Sequence, residues 1–250
     1  MKLGILLCDN VNQTLKKQYG GYSGMFSALL AQTEVPLEIV FYEVYLDDYP
    51  EEIDECDAYL STGSQYSVYD DLPWIHKLVQ FVRRLYDAQI GLVGICFSHQ
   101  LIAHALGGKV SLSYNGWGVG ISTTQIINKK LWMDPELSIV GLVVSHQDQV
   151  VELPPHTEVI LGCDFCPYSA IQVDDHFLGF QGHPEFSADF ALALMDYRQD
   201  IIEPSRLEQG KQTLDKVADS QTVAHWIINF LHQSVKSRRP TLLDLFNPPT

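Results

Sequence analysis

At 250 residues, 46% of them hydrophobic, the chain is long enough to bury a full core without disulfides or metals, and one large domain is favoured. With 31 acidic against 16 basic side chains, a formal net charge of −15, the surface repels phosphate backbones and anionic bilayers, so neither nucleic acid nor membrane is expected as a partner. Five cysteines without a regular framework point to a reducing, cytoplasmic setting, and no stretch has the length of a bilayer span or the layout of an export signal.

In chain order, residues 3–8 read as a short buried strand, followed by a polar loop through Gly20-Gly21 and a helix over about 23–32. Residues 37–45 alternate as a second strand, and 58–61 form a third that feeds into Thr62-Gly63-Ser64. Asp70-Asp71 and Pro73 open a helix that runs to about 88, with Leu78, Phe81, Val82 and Leu85 on its packing face. The apolar run 91–95 is a buried strand, and it turns at Cys96 into a helix that Gly107-Gly108 stops. From 109 to about 164 short strands take over (109–113, 119–127, 142–145 and 159–162), which predicts a small antiparallel flap beside a mainly parallel sheet. Gly116-Trp117-Gly118-Val119-Gly120 lacks the spacing and setting of a dinucleotide loop, and Cys163-x-x-Cys166 lacks a second ligand pair, so neither a nucleotide cofactor nor a metal is expected. Strands 170–173 and 177–181 make a hairpin around Asp174-Asp175-His176, with His176 expected to be solvated at the tip. Three helices follow, over about 187–202, 205–217 and 219–233, each opening on a capping residue. The tail 237–250 either wraps the domain or lies loose.

Two stretches carry chemistry. Cys96 sits at a strand-to-helix turn with small residues, Gly94 and Ser98, two positions to either side, as a nucleophile elbow requires. The helix N-terminus beyond it favours thiolate and offers N–H groups, that of Phe97 first, to an oxyanion. On the elbow alone, a small buried hydrophobe is an equal reading. His183-Pro184-Glu185 tips the balance, because an extended, proline-stiffened segment puts the imidazole and the carboxylate on one side. Thiol, imidazole and carboxylate together make the cysteine form of a catalytic triad.

Gly-Ile-Cys-Phe-Ser-His-Gln at 94–100 and Gly-His-Pro-Glu-Phe at 182–186 resemble the two signatures of class I glutamine amidotransferase domains, especially free-standing ones related to the glutaminase part of GMP synthetase. Residues 61–71 and 144–148 resemble that family's oxyanion-side and substrate-side loops, and the likeness runs from about 40 to 195. The family usually carries Gly where this chain has Ser98, and often where it has Gln147.

The alternation of strands and helices predicts a doubly wound, mainly parallel α/β sheet, which the resemblance makes flavodoxin-like over residues 1–200, and the last helices and the tail (201–250) read as a helical extension packed on the same domain. The resemblance implies Cys96, His183 and Glu185 as catalytic residues, backbone N–H groups of Gly63, Ser64 and Phe97 as the oxyanion hole, and Gln100, Ser145 and His146 at the substrate. The first expectation is hydrolysis of the γ-carboxamide of L-glutamine, with ammonia passed to a synthetase subunit if one exists, since the chain has no phosphate-binding loop of its own. The alternative is a γ-glutamyl peptidase acting on γ-glutamyl compounds with the same triad, and a third reading is a non-catalytic binding module on the same fold.

Overall fold

The computed structural model describes residues 1–238, so the expectation for the tail falls almost wholly outside the described residues. The elements are β1 (Lys2–Leu6), α1 (Gln13–Tyr19), α2 (Tyr22–Ala31), β2 (Glu38–Tyr42), β3 (Ala58–Ser61), α3 (Pro73–Asp87), β4 (Gly91–Ile95), α4 (Phe97–Ala105), β5 (Lys109–Leu112), β6 (Gly118–Ile126), β7 (Ile139–His146), β8 (Asp148–Glu152), β9 (Thr157–Gly162), β10 (Ala170–Val173), β11 (Phe177–Phe180), α5 (Ala188–Tyr197), α6 (Pro204–Gln212) and α7 (Ser220–Ser237). Nine strands form one mixed sheet in the order β2-β1-β3-β4-β11-β10-β9-β6-β7. The stretch from β2 to β11 is parallel, and β10, β9, β6 and β7 extend it antiparallel. This is the doubly wound α/β arrangement expected from the alternation of apolar strands and amphipathic helices.

Strand periodicity splits the core between the two faces of the sheet. Leu3, Ile5, Leu60, Val93, Ile95, Leu178 and Phe180 pack on one face with α2 and α7. Leu6, Tyr59, Leu92 and Phe177 point the other way, onto α3 and α4. The stripe Val223, Trp226, Ile227 and Phe230 of α7 lies inside the first of these clusters, and the Trp226 indole N–H donates to the Pro135 carbonyl at 2.8 Å.

Register positions the site. Ser61 pairs with Gly94, and Ile95 with Phe180, so β3, β4 and β11 end at the same level. The loops that leave them carry Gly63-Ser64, Cys96 and His183. All three loops therefore open at the carboxyl edge of adjacent parallel strands, where α/β sheets place their ligands.

Several local expectations are corrected. The loop before Gly20 contains α1, whose first turn is capped by the Asn12 side chain accepting the Thr14 N–H at 2.9 Å. The strands expected as a separate flap mostly continue the main sheet; only β5 and β8 stand apart as a two-stranded sheet. The chain switches sheets at Gln147 alone, between β7 and β8, so Ser145 and His146 lie on a strand end instead of a free turn. His176 is buried, because the hairpin tip folds onto the end of α3 and packs the imidazole 5.0 Å from the Tyr86 ring and 5.1 Å from that of Phe177. Among the capping residues, Ser187 caps α5 as expected, whereas Asp71 pairs with His76, α6 starts from Glu203-Pro204 without a side-chain cap, and Asp219 accepts the Gly141 N–H instead of capping α7. Cys163 accepts the Cys166 N–H within its own turn, and no cluster of metal-ligating residues exists among the described residues. No helix among them is long and apolar enough to cross a membrane.

Because Trp226 is fully buried in the central cluster, Trp226→Ala should cost about 3–5 kcal/mol. Urea unfolding followed by fluorescence and far-UV circular dichroism checks this. A single transition shifted to lower urea for both probes is expected, and an early transition confined to the C-terminal helices would contradict one cooperative core.

Candidate active site

β4 is apolar to its last residue, and the chain must turn sharply after Ile95 to start α4. Cys96 makes that turn at φ 52°, ψ −101°, a backbone conformation that L-residues rarely adopt. Two contacts hold it. Its N–H donates to the Phe180 carbonyl at 2.7 Å, continuing the β4–β11 ladder one residue past β4. The backbone at Gly94 lies so close to the first turn of α4 that a Cβ there would meet the Ser98 carbonyl oxygen at 2.5 Å. Glycine is obligatory at 94 for that reason.

Ser98 is accommodated because its hydroxyl faces the other way, into a buried polar cluster. It donates to the Thr62 carbonyl at 2.7 Å and lies 2.7 Å from Ser61 Oγ and 3.6 Å from Cys8 Sγ. The Thr62–Gly63 peptide is planar and trans, so fixing its carbonyl toward Ser98 turns the Gly63 N–H to the opposite side. Gly63 itself lies against His183 and Cys96: a Cβ there would sit 3.0 Å from His183 Cε1 and 3.7 Å from Cys96 Cβ. The N–H groups of Gly63, Ser64 and Phe97 donate to no backbone acceptor among the described residues.

After β11 the chain runs through Gly182 to a one-residue bridge, where the His183 N–H donates to the Val143 carbonyl at 2.7 Å. Nδ1 of His183 lies 2.7 Å from Glu185 Oε1, both side chains being buried, and the imidazole stacks on Phe186 at 4.0 Å with the rings 5° from parallel. Phe186 is braced in turn by Phe190 at 4.4 Å. Burial by itself pushes the imidazolium down, but the Glu185 carboxylate and the Cys96 thiolate outweigh it and raise His183 to about 10. The arrangement holds a charged imidazole beside a sulfur at neutral pH.

A second layer orients the sulfur. Gln181 donates to Cys96 Sγ at 3.5 Å, and Gln100 donates to Gln181 Oε1 at 3.0 Å and to the Asp148 carbonyl at 2.9 Å. The Gln100 side chain is therefore spent on the protein, one step removed from the sulfur. His146 Nδ1 lies 3.0 Å from the same Asp148 carbonyl, and burial lowers this imidazole to about 4, so it is neutral. The Asp148 carboxylate accepts the hydroxyls of Ser67 at 2.5 Å and Tyr69 at 2.9 Å. Ser145 accepts an N–H of Arg198 at 2.8 Å, and Asp9 accepts the Gln65 N–H at 2.9 Å, which anchors the loop after Gly63.

Two cavities meet at Cys96 and share Ser64, Gln65, Ser145 and Arg198. One, about 120 Å³, lies on the His183 and Phe186 side. The other, about 160 Å³, lies on the Gln100, His146 and Asp148 side. The structure thus brings the nine residues singled out in the sequence into one region. Gln181, Asp9 and Arg198 were not among them. Gln181 adjoins the His183 motif and could have been found there, whereas Asp9 and Arg198 belong to no local pattern.

The family model for class I glutamine amidotransferases matches residues 18–191, well over half of the chain. Gamma-glutamyl peptidase 4 of Arabidopsis thaliana is 29% identical over 249 residues, covering 96% of each chain, and gamma-glutamyl peptidase 3 of the same plant is 27% identical over 223 residues, covering 85% of this chain and 88% of that one. Among solved structures, a glutamine amidotransferase from Methylobacillus flagellatus superposes with a TM-score of 0.73 at 21% identity, covering 95% of both chains, a likeness of fold.

The His183 shift makes a signed prediction. Its folded value is raised above the unfolded value of about 6.5, so the stabilisation it contributes is complete below that pH and is lost as pH rises toward 10. Urea unfolding of wild type and Glu185→Gln between pH 6 and 10 should show the wild-type advantage greatest near pH 6 and shrinking steadily above it. A difference that does not vary with pH would mean that the pair is not charged.

Proposed function

The chain belongs to the class I glutamine amidotransferase family, and from that premise we propose that it is a cysteine hydrolase of γ-glutamyl compounds. Cys96 attacks the γ-carbonyl carbon, and the oxyanion is received by the free N–H groups of Phe97, Gly63 and Ser64. His183, held by Glu185, gives a proton to the departing nitrogen and then takes one from the water that attacks the thioester, which releases glutamate and restores the thiolate. Ser98 acts indirectly, by fixing the peptide that aims the Gly63 N–H. Gln100, Ser145 and His146 border the glutamyl side.

The observation that carries the reading is the cavity on the His183 side of Cys96. Ammonia leaving glutamine needs no space of that kind, whereas a bulkier amine does. The two Arabidopsis peptidases, matched over most of their length, support the same choice. Glutamine is then the smallest member of the substrate class instead of its principal one, and a synthetase subunit to receive ammonia is not required. The strained elbow, the buried charged pair and the free N–H groups converge on one point, which disfavours a non-catalytic module. A nucleophilic thiol among five free cysteines fits a reducing, cytoplasmic setting.

Release of p-nitroaniline from γ-glutamyl-p-nitroanilide, run beside ammonia release from glutamine, tests the proposal. Turnover of the anilide should exceed that of glutamine, and Cys96→Ala should lose at least about three orders of magnitude on both. Cys96-dependent turnover of glutamine alone would overturn the peptidase reading. In the same assay Ser98→Ala should lower kcat about tenfold with little change in KM, since a misdirected oxyanion donor weakens the transition state more than the substrate complex.

A further inference from the structure

We propose that the cavity between Cys96 and α5 is the leaving-group site, and that Arg198 at its junction with the glutamyl side binds the α-carboxylate of the amino acid released. The substrates it selects are γ-glutamyl amino acids with an apolar side chain. The inference rests on the γ-glutamyl reading and adds to it the identity of the leaving group.

Direction comes from His183. The departing nitrogen must lie where His183 can protonate it, and of the two cavities at Cys96 only the one of about 120 Å³ is lined by His183. Its lining is mixed, and the apolar part of it, Val11, Leu15, Phe186 and Leu194, suits an aliphatic side chain and not a bare ammonia.

Charge identifies the second group. Among the described residues, Arg198 is the only lysine or arginine lining either cavity. It spends one N–H on Ser145 Oγ at 2.8 Å and rests 5.6 Å from the Trp117 ring, and no Asp or Glu forms an ion pair with it among the described residues. A guanidinium has five N–H donors in a fork that fits a carboxylate, so most of its capacity is open. The other charges nearby do little for an incoming anion: the protein carries a net charge of −15, Asp9 lines the same cavity, and the charged His183 is already paired with Glu185. An amino-acid carboxylate is drawn in only if a local cation receives it. In a γ-glutamyl amino acid that carboxylate hangs from the carbon bonded to the scissile nitrogen, and so it falls near the reacting sulfur. Arg198 lines both cavities at their meeting with Cys96 and Ser145, which is the region where that carboxylate arrives.

The test compares γ-glutamyl-leucine with γ-glutamyl-3-methylbutylamide, which has the same aliphatic group and lacks the carboxylate. The wild-type chain should favour γ-glutamyl-leucine in kcat/KM by about ten- to a hundredfold, as one charge-assisted pair allows, and should favour it over γ-glutamylglycine by about tenfold. In Arg198→Gln the preference for leucine over the methylbutylamide should collapse to near one, and Arg198→Lys should keep part of it, because a lysine retains the charge without the fork. The proposal is overturned if the preference survives in Arg198→Gln, or if that variant loses activity equally on both amides, which would assign Arg198 to the glutamyl half or to the fold. A wild type that cleaves both amides without preference leaves the γ-glutamyl reading standing and refutes only the role of Arg198. A wild type that cleaves neither while releasing ammonia from glutamine refutes both.

Discussion

The constraint on which the site depends is the conformation of Cys96. At φ 52°, ψ −101° the backbone sits in a region that costs an L-residue on the order of 1–3 kcal/mol, and it persists only where neighbours over-determine it. Here they do so from three directions: β11 through the Phe180 carbonyl, the first turn of α4 through the close approach at Gly94, and the body of the sheet through the fully buried Val93 and Ile95. The strain does useful geometric work. It carries the chain from β4 straight into α4, so that Cys96 and Phe97 line one cavity.

The His183–Glu185 pair is held by different means. His183 is not on a strand; it hangs from one hydrogen bond to Val143 in β7, with a phenyl ring stacked on its face and a carboxylate behind it. Cys96 belongs to the parallel part of the sheet, and the backbone anchor of His183 belongs to the antiparallel extension. The site therefore straddles the seam between the two, and mixed pairing serves a purpose: a wholly parallel sheet would bring no strand back to meet the residue after β11. Around the pair, polar residues that looked like substrate contacts are largely engaged with the protein. Gln100 and Gln181 form a relay to the sulfur, and Ser98 ties the elbow to the neighbouring loop.

Much of this was legible in the sequence because it depends on local chemistry. A β4 apolar to its end, Gly94, the switch to helical spacing at Phe97 and the alternation in His183-Pro184-Glu185 each have a physical reason that acts within a few residues. What was not legible depends on distant partners. Nothing near His176 says that Tyr86 will cover it, and nothing near residue 142 says that β7 will join the main sheet instead of a flap. α1 was missed because seven residues with one buried side chain, Leu15, carry too little periodicity to stand out. Arg198 is invisible for the same reason in reverse: at the end of α5 it matches an ordinary solvated cation, and only the folded chain brings it to Ser145.

The register of β4 has a consequence for how the protein is made. Its two neighbours in the sheet are β3, synthesised just before it, and β11, synthesised far later. A nascent chain that has not yet reached Phe177 can pair β4 on one side only, leaving Leu92 to Ile95 as an open apolar edge and the Cys96 N–H without its carbonyl. During that interval the thiol has neither its strained geometry nor its imidazole. The geometry around Cys96 is therefore assembled only after β11 has been made and has closed the sheet against β4.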